Sequence, residues 1–127
     1  AKTINIEALT MIDMAGKDII PAVSAYTGDL ANTVLAVKEA GATASTQVEL
    51  LKKVDGLLTE AQAALETLQA ETAKASAIED VKAQAFYYKD TVKAAMDALR
   101  APVDKLEMVV DSSIWPMPTY GELMFEV

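Results

Sequence analysis

The spacing of apolar side chains predicts three long helical segments, the first from about residue 4 to residue 38. Apolar or small residues recur there at steps of three and four, as on the buried face of a helix. Pro21 lies mid-segment, where it lacks a backbone donor and clashes with the carbonyl four residues earlier. We expect a kink there or two helices meeting end to end, with Gly41 as a left-handed cap afterwards. The predicted inward positions are Leu9, Ile12, Gly16, Ile19, Val23, Tyr26, Leu30, Val34 and Val37.

The second segment is predicted to begin at Thr46, because Thr46 and Glu49 have the spacing of a capping box. Gly56 lies inside this segment without shifting the apolar pattern, so we interpret it as a tolerated helical glycine. The inward positions expected here are Val48, Leu51, Val54, Leu58, Ala61, Leu65 and Leu68.

The third segment has the clearest heptad pattern. Ser76 and Glu79 form a second capping-box spacing, which predicts a short connection near residues 74–75. Pro102 occupies one heptad position and is expected to bend the helix. The other inward positions are Ile78, Val81, Ala85, Tyr88, Val92, Ala95, Leu99, Leu106 and Val109.

Short connections between long helices make neighbours antiparallel. We therefore predict an all-α fold, an up-down-up three-helix bundle, or four helices if the first breaks at Pro21. A single domain is expected over residues 1–127, with the bundle in 1–111 and a tail in 112–127. The tail contains the only Trp and two of the four Pro residues. It also carries a predicted short terminal helix capped by Thr119 with Glu122.

Composition narrows the function classes. With 52% hydrophobic and 24% charged residues, the 127-residue chain is not typical of disordered proteins. The absence of Cys and His excludes disulfide frameworks, zinc fingers and catalytic pairs that use either residue. A net charge of −8 disfavours nucleic acids and anionic lipid as partners.

The patterns of membrane-spanning and secretory segments bear on the location of the protein. No apolar run approaches the ~20 residues that span a bilayer, and no secretory signal opens the chain. We expect a cytoplasmic protein without membrane contact. A start at Ala1 rather than Met suggests a mature product or an excised piece.

A row of aspartates is the best candidate for chemistry. Asp90, Asp97, Asp104 and Asp111 are spaced seven apart, which places them on one helix face, and carboxylate oxygens are the ligands that Mg²⁺ and Ca²⁺ prefer. The heptad pattern puts that face opposite the core, and Lys93 and Arg100 are interleaved, which favours surface ion pairs. Phosphate-binding glycine motifs are absent. We therefore expect no catalytic, cofactor-binding or metal-binding residue in this chain.

Apolar residues exceed what one bundle seam requires, and such a surplus is typical of a contact with another protein surface. The alternative is that the tail folds back over the first helix and buries both sets internally. The predicted docking residues are Met11, Met14, Ile20, Phe86, Trp115, Met117, Tyr120, Met124 and Phe125.

Several segments carry a family resemblance. They are IEALTMIDM at 6–14, DIIPAVSAY at 18–26, YYKD at 87–90 and WPMPTYGELMF at 115–125. Together they resemble the C-terminal region of type III glutamine synthetases, and the Trp-Pro-x-Pro-Thr-Tyr portion is the most specific. The Ala-rich second helix adds little to this likeness.

The resemblance implies a parent enzyme that joins ammonia to glutamate with ATP and Mg²⁺ or Mn²⁺, in a ring-forming oligomer. It also implies that the catalytic residues lie upstream, because no position here matches the family's ATP, glutamate or metal motifs. The leading hypothesis is a non-catalytic helical domain whose partners are the catalytic domain and sister subunits. The alternative is a stand-alone helical interaction module of the sensor or adaptor type.

Overall fold

Helices account for nearly all of residues 2–111, which together with residues 113–116 are the part described by this computed structural model. Two π-helical turns interrupt otherwise continuous helices, so the chain forms three rods. The predicted all-α class is confirmed. The elements are α1 (Lys2–Met14), the π1 turn (Ala15–Ile19), α2 (Ile20–Glu39), α3 (Ser45–Ser76), α4 (Val81–Tyr87), the π2 turn (Tyr88–Val92) and α5 (Lys93–Val109).

The rods run up, down and up, with α3 in contact with both of the others. Short loops at 40–44 and 77–80 join them, which makes successive rods antiparallel. The first rod comprises α1, π1 and α2, and the third comprises α4, π2 and α5. In addition, α1 contacts π2 and α5, so the first and third rods meet directly at that end. The assignment of all 127 residues to one domain stays a prediction.

The first rod remains helical through Pro21. In π1 the Ile20 N–H donates to the carbonyl of Ala15, five residues back, and Pro21 follows in the first turn of α2. A proline is tolerated in a first helical turn because its missing N–H would lack an intrahelical partner there. The described residues therefore form three rods rather than four, with a wide π turn at the predicted kink or break.

Large apolar side chains fill the core between the rods. Leu68, Met96, Leu99 and Leu106 are among the largest fully buried residues. Met96 was missed by the sequence pattern. The predicted inward positions that are buried include Ile19, Val23, Leu30, Val34, Val54, Ala61, Leu65, Leu68, Tyr88, Val92, Ala95, Leu99, Pro102 and Leu106.

In α1 the buried face lies one residue away from its predicted position. Leu9, expected inside, is 52% exposed, and Ala8 is fully buried instead. Gly16 is likewise exposed while Ala15 is buried. The reason is π1, because its wider turn holds an extra residue. The buried positions 15, 19 and 23 are therefore each four residues apart, whereas the predicted step from 16 to 19 is three.

The predicted capping box at Thr46 and Glu49 is wrong. α3 begins at Ser45, and its cap position is Ala44, which has φ 53° and no side-chain cap bond. The N-terminus of α3 is formed by the backbone alone, since the Val48 N–H donates to the Ala44 carbonyl at 2.9 Å. Gly41, expected to be left-handed, has φ 98°.

The predicted capping box at Ser76 and Glu79 is also wrong. Ser76 is the last residue of α3, and the connection lies at 77–80 rather than at 74–75. Asp80 caps α4 through a carboxylate oxygen that accepts from the Ala83 N–H at 2.9 Å. Val81, predicted to be inward, is the first helical residue after this cap and is 78% exposed.

Candidate interaction surface

One side of α1 is fixed against the third rod. The Tyr88 hydroxyl, at the start of π2, donates to the Asn5 side-chain oxygen at 3.1 Å. One turn further along, Ala8 is fully buried, so the backbones approach closely there. The Arg100 guanidinium of α5 then donates to the Met11 sulfur at 3.8 Å. These contacts set the rotation of α1 about its own axis.

The opposite side of α1 exposes large apolar side chains. Ile6 is 63% exposed and Leu9 is 52% exposed, and they lie one turn apart. Thr10 and Asp13 complete this surface, and Asp13 forms an ion pair with Lys17 at 3.0 Å. We call Ile6, Leu9, Thr10 and Asp13 the α1 outer face.

The predicted docking residues divide into four groups. Met11, Met14 and Ile20 are half-buried, and Met11 and Ile20 pack against the core. Phe86 is 68% exposed on α4. Trp115 is half-buried against the core. The last four, Met117, Tyr120, Met124 and Phe125, lie outside the described residues, as does the helix predicted from Thr119 and Glu122.

Sequence reasoning missed Ile6 and placed Leu9 inside. The available signal was the spacing of Ala8 and Ala15, seven residues apart, which is itself an inward repeat. Small residues on that repeat allow close helix packing, and the larger neighbours are then left outside.

A turn after α5 directs the chain back onto the bundle. One carboxylate oxygen of Asp111 accepts from both the Ser113 N–H and the Ser113 hydroxyl, each at 2.9 Å. The backbone bond, followed by the hydroxyl, lowers the pKa of Asp111 below its ordinary value. The Ile114 N–H donates to the Asp111 carbonyl at 2.9 Å. Ile114 and Trp115 then pack against the core.

The aspartate row does not fit a metal ion. Asp90, Asp97, Asp104 and Asp111 are all exposed, and successive members are about 10 Å apart along a helix. A bound Mg²⁺ or Ca²⁺ needs oxygens within about 2.6 Å. Asp97 instead pairs with Lys93 at 3.3 Å and with Arg100 at 3.6 Å. The described residues hold no cluster of three or more acidic side chains suited to a metal.

A polar cluster joins the end of α3 to α4. The Tyr87 hydroxyl donates to the Glu71 carboxylate. This bond lowers the pKa of Glu71 and raises that of Tyr87 from their ordinary values. The Gln84 amide donates to the carbonyl of Ala75 at 3.1 Å, near the end of α3. The cluster therefore fixes the connection between α3 and α4.

Beside this cluster lies a buried hydroxyl without a hydrogen-bond partner, that of Thr72. Other helical threonines, such as Thr59 and Thr67, donate to the carbonyl four residues earlier. The cluster as a whole has the features of a structural clamp, because its carboxylate is bonded to a tyrosine and no nucleophile and base converge there.

Shallow, open grooves run between α2 and α3. One is lined by Ile20, Ser24 and Leu58, and a second by Ser24, Gly28 and Leu51. Neither encloses a small ligand in the way that an active-site cleft does. Among the described helices, none is long and apolar enough to cross a membrane.

Comparison with known proteins finds a likeness to one enzyme family. The family model of the glutamine synthetase C-terminal domain matches residues 1–38, which are the first rod up to its last turn. A glutamine synthetase of Butyrivibrio fibrisolvens is 34% identical over 129 residues, covering all of this chain. The chain is related to the glutamine synthetase C-terminal domain. The resemblance seen in the sequence is confirmed at that level.

A glutamine synthetase of Bacteroides fragilis (strain YCH46) is 28% identical over 128 residues, covering 96% of this chain. The chain spans 18% of the length of each of these two relatives. The likeness to these glutamine synthetases thus concerns a small, helical part of a much longer protein.

Proposed function

We propose that this chain is the non-catalytic C-terminal helical domain of a type III glutamine synthetase, and that it packs on the catalytic domain or on neighbouring subunits. The observation that carries the proposal is the match to two glutamine synthetases along almost the whole chain, together with the family-model match to the first rod. Exposed apolar side chains such as Ile6 and Phe86 support a packing role.

In this proposal the parent reaction is the ATP-dependent ligation of ammonia to glutamate, in a cytoplasmic homo-oligomer. ATP and Mg²⁺ or Mn²⁺ would bind outside this chain, because its described carboxylates do not converge on a metal. The helical domain would then contribute to assembly and stability and would leave the chemistry to the catalytic domain.

The first experiment compares the full-length protein that carries this chain with a version that ends before residue 1. We expect the truncated protein to lose its oligomeric state or to melt at a lower temperature. Light scattering after size exclusion and thermal unfolding measure these properties. A truncated protein that assembles and melts like the parent contradicts the packing role. An upstream reading frame without a catalytic domain would instead favour the stand-alone interaction module.

A second experiment uses point variants of the same full-length protein. We expect Trp115→Ala and Phe125→Ala to weaken assembly or thermal stability, because large aromatic side chains dominate packing contacts. Met108→Ala is the control, since Met108 is 85% exposed on α5 and is not a predicted docking residue. If both aromatic variants assemble and melt like Met108→Ala, these residues are not docking elements.

A further inference from the structure

α1 is apolar on two opposite sides. Its inner side fully buries Ala8 and packs Ile4, Met11 and Ile12 against the core. Its outer face presents the larger Ile6 and Leu9 to solvent. A helix that is apolar on both sides is typical of one enclosed between two surfaces. The bundle supplies only one of those surfaces.

The chain itself cannot cover the outer face by turning the helix. Rotation of α1 would break the Tyr88–Asn5 hydrogen bond and the contact between Arg100 and Met11. It would also place large side chains where Ala8 allows close approach. The exposure of Ile6 and Leu9 is therefore a fixed feature of the bundle.

Two other exposed apolar side chains, Leu35 and Phe86, have more polar neighbours. Leu35, 66% exposed, has Asn32, Lys38 and Glu39 as neighbours three or four positions away. Phe86 has Lys82, Lys89 and Asp90 at the same spacings. Residues three and four apart are neighbours on a helix surface. On α1, by contrast, Ile6 and Leu9 are themselves such neighbours and form a continuous apolar surface.

We propose that the α1 outer face is covered by the polypeptide that precedes this chain in the longer protein. This inference rests on the proposed function and identifies the contacting surface. Two arguments favour the preceding polypeptide over a second copy of the chain. The first is position: α1 begins at Lys2, so Ile6 and Leu9 lie within about two turns of the point at which that polypeptide would join the bundle.

The second argument is size. An interface between separate chains buries about 800 Å² on each partner. Two side chains on a helix of 13 residues offer far less, so their partner must be tethered to act at high effective concentration. The relatives leave ample sequence for this, because the chain spans 18% of their length. Glu7 borders Ile6, and Asp13 beside Leu9 is already paired with Lys17, so the covering surface should be mainly apolar.

The test uses the absence of Cys from this chain. Ile6→Cys and Leu35→Cys place single thiols at 63% and 66% exposed positions of the same rod. In the full-length protein, each thiol is labelled with a maleimide, and peptide mass spectrometry measures the labelling rate. Each rate is normalised to the rate of the same variant in denaturant. We expect Ile6→Cys to react at least tenfold more slowly than Leu35→Cys. Equal rates would overturn the inference, as would equal protection of Ile6→Cys in the isolated 127-residue chain, which would assign the cover to the chain's own tail.

Two further variants keep the result decisive. Leu9→Cys measures the labelling rate on the same α1 outer face, and it is used if Ile6→Cys does not fold. Phe86→Cys separates this inference from the proposed function. Protection at Phe86 but not at Ile6 or Leu9 overturns the inference and leaves the packing role standing, whereas reactivity at every position contradicts both. Protection at Ile6 that disappears on dilution to the monomer identifies a second subunit as the cover and also overturns the inference.

Discussion

The first and third rods share a construction, but their helices α1 and α5 differ in how deeply they bury large side chains. Each contains a five-residue π turn and a proline. The third rod buries Met96, Leu99 and Leu106 almost completely. In the first rod, α1 fully buries Ala8, packs the partly buried Ile4, Met11 and Ile12 against the core, and leaves Ile6 and Leu9 outside.

This difference separates two uses of apolar residues. Burial stabilises the fold by roughly 25 cal/mol per Å² of apolar area, so α5 supplies much of the stability of this bundle. Ile6 and Leu9 of α1 contribute little to it, because they stay in water, whereas Ile4, Met11 and Ile12 pack against the core. The contribution of Ile6 and Leu9 would appear only when another surface covers them.

The largest predicted effect tests that separation directly. We expect Leu106→Ala to lower the free energy of unfolding by about 3 kcal/mol, because it removes a fully buried side chain and leaves a cavity. In the same 127-residue chain, Leu9→Ala should cost less than about 1 kcal/mol. Urea denaturation monitored by circular dichroism measures both. Similar losses for the two variants would mean that α1 and α5 contribute equally to the core.

A second prediction concerns the small side chains on the inner side of α1. Ala8 is fully buried, so Ala8→Leu should overpack the contact and cost about 1–3 kcal/mol. Ala94→Leu is the control, because Ala94 is exposed on α5 and should change stability by less than about 0.5 kcal/mol. The same urea titrations apply. If Ala8→Leu were neutral or stabilising, α1 would not be held closely against its neighbours.

The same contrast explains what the sequence predicted well. In the third rod the heptad positions of Tyr88, Val92, Leu99 and Leu106 are all buried, because large apolar side chains at a regular spacing define one face. Met96 lies outside that spacing and was missed, although it is fully buried. The antiparallel arrangement followed from loop lengths alone.

The first rod was less predictable for a specific reason. π1 adds a residue to one turn, and a shift of one residue rotates the predicted face by about 100°. That shift exchanges Leu9 with Ala8, which is the difference between a core residue and a surface residue. The start of α3 was missed for another reason, since Ala44 acts through its left-handed backbone and its side chain carries no capping signal.

The smallest predicted effect concerns two adjacent tyrosines at the start of the third rod. Tyr88 donates to Asn5 of the first rod, whereas Tyr87 donates to Glu71 of α3. Only the second bond has a carboxylate acceptor, which is strongest when ionised. The bonds therefore differ in their expected response to pH.

The Tyr87 bond lowers the pKa of Glu71 from 4.5, so its stabilisation is present above that pH and is lost as pH falls through the lower folded value. The bond also raises the pKa of Tyr87 from 10.0, so the stabilisation is present below that pH and is lost as pH rises through the higher folded value.

We expect Tyr87→Phe to destabilise the chain between these limits and to match the parent in acid. Tyr88→Phe, measured in the same urea titrations, should show a loss that is independent of pH on the acid side, because Asn5 does not titrate. A Tyr87→Phe effect that persists unchanged well below pH 4.5 would show that the bond to Glu71 does not hold α4 on α3.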